Sequence, residues 1–191
     1  VLVGQGVELG NAQVELLAFL EKADIPCGRT LLGLSAIPSD HPLNKGMLGM
    51  HGNLGPNTKT NECDLLIAVG MRFDDRVTGR LDAYARQAKV IHLDIDPAEI
   101  NKNVHADVAV LGDCKDTLAR LTAAIEERKH TAWIDSFAPY EEKEYNEVIR
   151  EAIQPEEGSL RRGEVARAVS EASGNKAMLV TDVGQNQMMS A

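Results

Sequence analysis

The sequence predicts an α/β fold, a doubly wound and mainly parallel sheet of about six strands. Three observations predict it. Short apolar runs recur at residues 1–3, 65–69, 89–95 and 106–111, each ending at a glycine or an acid. Runs this short, without polar alternation, suit strands buried on both faces. Helical periodicity fills the gaps, at residues 12–23 and 114–129. The glycine-rich and charged clusters then follow the strands, where an open α/β sheet places its ligand crevice.

Residues 1–3 run into Gly4-Gln5-Gly6. Two glycines at a strand-to-helix turn let backbone N–H groups approach an anion. The same glycines also serve a turn that is tight for steric reasons alone. No acid closes the second strand where a dinucleotide fingerprint wants one, so a nicotinamide-dependent dehydrogenase is disfavoured. Ile25-Pro26-Cys27 opens the second strand, and Thr30 and Leu31 follow it. Residues 35–61 are rich in turn formers, around Gly46-Met47-Leu48-Gly49-Met50-His51-Gly52. A loop of this length is uncommon unless functional or disordered. Its methionines either plug a gap in the core or line a flat ligand. His51 alone carries no ligand signal.

The next stretch, LLIAVGMRFDDRVTG at 65–79, is the centre of the chain. Its strand stops at Gly70 and delivers Arg72, Asp74, Asp75 and Arg76 to the crevice. The alternative is a solvated loop with surface ion pairs. Residues 81–88 read as a short helix. The strand at 89–95 ends in Asp94-Ile95-Asp96-Pro97-Ala98-Glu99. Those acids suit a ribose or adenine amine, and equally suit capping of the next turn. The strand at 106–111 ends at Gly112-Asp113. Past His130 the texture is polar and acidic. Helices are expected at 140–152 and 161–173, and a strand at 177–181 before Asp182-Val183-Gly184-Gln185. This reads as the incomplete opening of a second α/β segment, so the domains expected are 1–130 and 131–191.

A net charge of -9 argues against a nucleic-acid partner, and no apolar run is long enough for a membrane span. Three widely spaced cysteines have no metal spacing, and reduced cytoplasmic thiols are the default reading. The chain opens on Val and reads as a piece of a longer polypeptide.

Four segments carry a resemblance to a known family: GMLGMHG at 46–52, GMRFDDRVTG at 70–79, HLDIDPAE at 92–99 and TDVGQNQM at 181–188. They resemble the large catalytic subunit of acetolactate synthase (acetohydroxyacid synthase), a thiamine-diphosphate enzyme. The resemblance implies a Rossmann-like middle domain that binds FAD, at 1–130. A linker and the start of the thiamine-diphosphate domain would follow at 131–191. It implies a parent that condenses two pyruvates, or pyruvate with 2-oxobutyrate, with loss of CO2, in branched-chain amino-acid biosynthesis. Mg2+, a homodimer or homotetramer, and a regulatory small subunit belong to the same expectation. By match, FAD contacts fall on Gly4, Gly6, Thr30, Leu31, Leu48, Gly49, Met50, His51, Gly70, Arg72, Asp74, Arg76, Val77, Asp94, Ile95, Glu99, Gly112 and Asp113. Met50, Asp75 and Arg76 border the substrate channel, and Val183, Gly184 and Gln185 match thiamine-diphosphate contacts. Asn186 stands where the family usually has His. No catalytic residue and no metal ligand falls within these residues, so the piece alone is expected to be inactive. The competing readings are a non-catalytic scaffold domain, or a piece of another thiamine-diphosphate carboligase or decarboxylase such as glyoxylate carboligase.

Overall fold

The computed structural model describes residues 1–190. Six strands form one sheet: β1 (Leu2–Val3), β2 (Cys27–Arg29), β3 (Asn44–Met47), β4 (Leu65–Val69), β5 (Lys89–Asp94) and β6 (Val108–Leu111). The order is β3-β2-β1-β4-β5-β6, and each neighbouring pair is parallel. The chain winds outward from β1 in one direction, then returns to lay β4 on the other side of β1. That reversal opens a crevice beyond the carboxyl ends of β1 and β4.

The helices of this part are α1 (Gly6–Leu9), α2 (Gln13–Ala23), α3 (Leu54–Thr60), α4 (Asp75–Thr78), α5 (Cys114–Ala124) and α6 (Thr131–Asp135). The period-two alternation of the strands divides the core between the two faces of the sheet. Val3, Ile67, Val69 and Leu93 pack on one side with Leu16 and Leu20 of α2 and Leu118 of α5. Leu2, Leu66, Ala68 and Val90 pack on the other with Leu48, Met71 and Phe73.

Several elements differ from expectation. The long segment 35–61 is not a loop, because it holds β3 and α3. Asn44, Lys45 and Gly46 hide β3, since none carries the apolar signature of a strand. Residues 31–36 wind into a 3-10 segment. Residues 81–88 form turns rather than a helix. There the side chain of Asn61 accepts from Ala85 N at 2.8 Å, Gln87 donates to Cys63 O at 2.8 Å, and Ala85 adopts φ +42°. These tertiary bonds override the helical pattern. Residues 177–181 are not a strand, and Met178 and Val180 are exposed. Parallel pairing needs a neighbour, and no other strand lies among the described residues of that part of the chain.

The chain divides into two compact units, 1–138 and 139–191. Residues 131–138 lie with the first. There Ile134 packs on the core, Phe137 is buried, and His130 N donates to Asp24 Oδ2 at 2.7 Å. The second unit takes in α7 (Ala138–Glu144) from its second residue on, a π-helical segment Tyr145–Ile149, α8 (Arg150–Ile153), α9 (Arg162–Ala172) and α10 (Gln185–Ser190). At the start of α9 the Glu164 carboxylate accepts from Arg161 N at 3.2 Å. Among the described residues, no helix is long and apolar enough to cross a membrane.

Candidate functional site

Each strand of the sheet is followed at once by residues the sequence singles out. Gly4 follows β1, Thr30 follows β2, Leu48 follows β3, Gly70 follows β4, Ile95 follows β5 and Gly112 follows β6. The crevice is thus assembled by topology from segments far apart in sequence.

At its base the β1 and β4 turns touch main chain to main chain. Gly4 N donates to Val69 O at 3.0 Å and Gly6 N to Gly70 O at 2.9 Å. A Cβ on Gly6 would stand 2.6 Å from Gly70 Cα, and one on Gly4 would overlap Gly70 O. Both amides are satisfied within the protein, so Gly4 N and Gly6 N are not themselves free donors. The glycines are needed because the two turns pack without room for a side chain.

Above this base, Met71 and Phe73 are buried while Arg72 between them is exposed. Arg72 Nε donates to Asp74 Oδ2 at 3.2 Å. Asp74 is also the N-cap of α4, accepting from Arg76 N at 3.0 Å and Val77 N at 3.3 Å. The expected charged loop is therefore a capped helical turn, and the cap sets where Asp75 and Arg76 point.

The β3 turn meets α4 from the other side. Met50 N donates to Arg76 O at 2.8 Å, and the Arg76 guanidinium reaches Met50 Sδ at 3.9 Å. Gly49, at φ +96°, is held by Asn57, whose side chain accepts from Gly49 N and donates to Gly49 O, both at 2.9 Å. The two readings of the methionines divide accordingly. Met47 fills the core with Leu48, whereas Met50 is 60% exposed and open to a ligand. His51 is exposed in the turn that follows. A cavity of about 300 Å³ brings together Leu48, Gly49, Met50, Asp75, Arg76 and Val77, with Asn57 and Tyr84. Burial raises the Tyr84 phenol above its ordinary range, and its hydroxyl has no partner.

At the end of β5 the acids cap turns. Asp94 Oδ1 accepts from Asp96 N at 2.9 Å, and Asp96 Oδ1 from Ala98 N at 2.8 Å. Glu99 pairs with Lys102 at 2.8 Å, and Ile95 is exposed. Gly112 N continues the ladder to Asp94 O at 3.0 Å. Asp113 caps α5 through Lys115 N and Asp116 N. Thr30 N is bound to Val3 O at 2.8 Å, and Leu31 begins the 3-10 segment half-exposed. Val183, Gly184 and Gln185 belong to the second unit. There Gly184, at φ +119°, forms the turn before α10.

Four residues with structural roles here escape sequence reasoning. They are Asn57, His92, Asn103 and Arg29, the last buried with its guanidinium donating to Leu34 O at 2.6 Å. No local signal separates them from ordinary loop or strand residues. Burial pushes the Cys27 and Cys114 thiols up to about 11, so neither is an activated nucleophile. A larger cavity, about 1020 Å³, opens at the amino ends of the strands. Of the predicted site residues only Leu48 lines it. The crevice instead offers two exposed guanidinium groups, a thioether and turn backbone, a set suited to a flat ligand with an anionic part.

Residues 1–121 match the family model described as "Thiamine pyrophosphate enzyme, central domain". The chain belongs to this family of thiamine pyrophosphate enzymes and carries its central domain. It is 42% identical over 198 residues to a probable acetolactate synthase large subunit of Methanocaldococcus jannaschii, covering 100% of this chain and 33% of the relative. It is 42% identical over 193 residues to the acetolactate synthase large subunit of Parasynechococcus marenigrum, covering 99% of this chain and 30% of that protein. The acetolactate synthase large subunit of Cyanidium caldarium is 40% identical over 196 residues, 99% of this chain and 32% of its own length. The chain thus spans about a third of the relatives it matches.

Proposed function

We propose that this chain is the FAD-binding middle domain, followed by the opening of the thiamine-diphosphate domain, of an acetolactate synthase large subunit. The parent would join two pyruvates, or pyruvate and 2-oxobutyrate, with release of CO2. Thiamine diphosphate with Mg2+ supplies the carbanion chemistry. The residues of the middle domain bind and orient. Arg72 and Arg76 face the negative part of FAD. Leu48, Gly49, Met50 and His51 line its flavin end, Gly70, Asp74 and Val77 follow, and Asp94, Ile95 and Glu99 lie toward its adenosine. Met50, Asp75 and Arg76 border the substrate path, and Val183, Gly184 and Gln185 would meet thiamine diphosphate. A homo-oligomer, a regulatory subunit and a cytoplasmic setting belong to the same reading.

The observation that carries it is the meeting of Met50, Asp75 and Arg76 at one cavity, from segments 25 residues apart. The test is a titration with FAD that follows flavin fluorescence and thermal unfolding together. Binding tighter than about 10 µM raises stability by a few kcal/mol at hundredfold excess, and Arg72→Ala weakens it. Saturating FAD without a shift in either signal would favour the scaffold reading. Acetolactate formation from pyruvate by the full-length parent tests the activity.

A further inference from the structure

Arg72 projects from between two buried residues, and its direction is set by the backbone on either side. Two side chains hold that backbone. His92, on β5, is fully buried, and its Nε2 lies 2.8 Å from Met71 O. A carbonyl only accepts, so Nε2 carries the proton and donates. Asn103, in the segment after β5, donates from Nδ2 to Phe73 O at 2.7 Å. The carbonyls on both sides of Arg72 are thus drawn inward by groups outside their own loop. The Phe73 ring packs edge-on against the His92 ring, with centroids 5.0 Å apart. The same Nε2 stands 3.7 Å from Asp94 Oδ2, at the end of β5. His92 Nδ1 has no partner in this buried setting. Core packing alone does not call for a fully buried imidazole with one nitrogen unpaired, because an unpaired buried polar atom is costly.

We infer that His92 and Asn103 are positioning residues: they grip the carbonyls of Met71 and Phe73 and so direct the Arg72 guanidinium at an anionic ligand group in the crevice. This rests on the reading of the crevice as the FAD site. His92→Gln keeps an N–H donor near the Nε2 position, whereas His92→Phe keeps ring volume and removes the donor. Asn103→Leu removes the second grip.

The test is FAD affinity of the full chain and these variants, with and without Arg72→Ala, alongside amide hydrogen exchange of residues 71–76 without FAD. His92→Phe and Asn103→Leu each weaken FAD binding about tenfold, the scale of one lost hydrogen bond. His92→Gln recovers most of the loss. In the Arg72→Ala background the same substitutions have little further effect, because they act through that guanidinium. A purely structural role gives losses that add to that of Arg72→Ala and no rescue by Gln, which overturns the proposal. Unchanged affinity in His92→Phe and Asn103→Leu overturns it also. If the parent chain binds no FAD, the cofactor reading fails and exchange alone judges the clamp. Faster exchange at 71–76 in Phe and Leu but not in Gln supports it, and unchanged exchange refutes it.

Discussion

Replacing Asp74 by alanine tests how the crevice is built. Asp74 caps α4 through bonds of 3.0 and 3.3 Å to Arg76 N and Val77 N, and it holds Arg72 Nε at 3.2 Å. Loss of an N-cap costs about 1 kcal/mol, within a range of roughly 0.5–2. The Arg72 side chain is 66% exposed, so solvent screening limits the ion pair to about 0.5 kcal/mol or less. The expected total is about 1.5 kcal/mol, most of it from the cap. Asp74→Ser keeps an acceptor for the cap and removes the charge, so it should lose only about 0.5 kcal/mol. Urea unfolding without cofactor measures both, and repetition in high salt removes the ion-pair part. If serine proves as destabilising as alanine, the charge rather than the cap organises this turn, and the capping role of Asp74 is refuted. FAD binding adds a second readout. Alanine lets both guanidinium groups wander and weakens affinity more than serine does.

Asn57→Leu leaves the N–H and C=O of Gly49 without their partner and should cost about 2 kcal/mol, with Asn57→Asp losing about half as much, by thermal or urea unfolding. Gly4→Ala would force the β1 and β4 turns apart, since its Cβ meets Gly70 O and Met71. It should destabilise by about 2 kcal/mol or more, and an unchanged melting temperature would refute the close-packing argument. The Cys27 thiol is raised by burial from an ordinary value near 9 to about 11, and Cys114 is raised similarly. Between about pH 9 and 11 the unfolded chain therefore releases protons that the folded chain keeps. Stability is flat in this respect below that window and falls as pH rises through it. Cys27→Ala should shallow the fall and adding Cys114→Ala should shallow it further, the remainder coming from Cys63 and Tyr84, which burial also raises.

The sheet was legible where strands are apolar and bounded by glycine, as in β4 and β5. It was illegible at β3, whose Asn44, Lys45 and Gly46 carry no apolar pattern and whose place is fixed by pairing with β2. The false helix at 81–88 and the false strand at 177–181 share one cause, because local pattern is silent about partners. At the site, the segment 70–77 was legible through its charges. Capping by Asp94 and Asp96 was visible as one of two uses for an acid after a strand, whereas the N-cap at Asp113 was not read from the sequence. Asn57, His92 and Asn103 were not legible. Their importance lies in which distant carbonyl or amide each one meets, and sequence spacing carries no trace of that.

The strand order has a kinetic consequence. The ladder between the β1 side of the sheet and the β4 side consists of two residue pairs, Leu2 with Ala68 and Val3 with Val69. Those pairs join segments far apart in the chain, whereas β4 and β5 share five pairs across a short connection. Distant contacts carry the larger loop-closure cost and tend to form late. The crevice is therefore a property of the completed sheet and not of either half. A ligand bridging that seam would recognise only fully assembled molecules, and its arrival would lock the last-made joint of the fold.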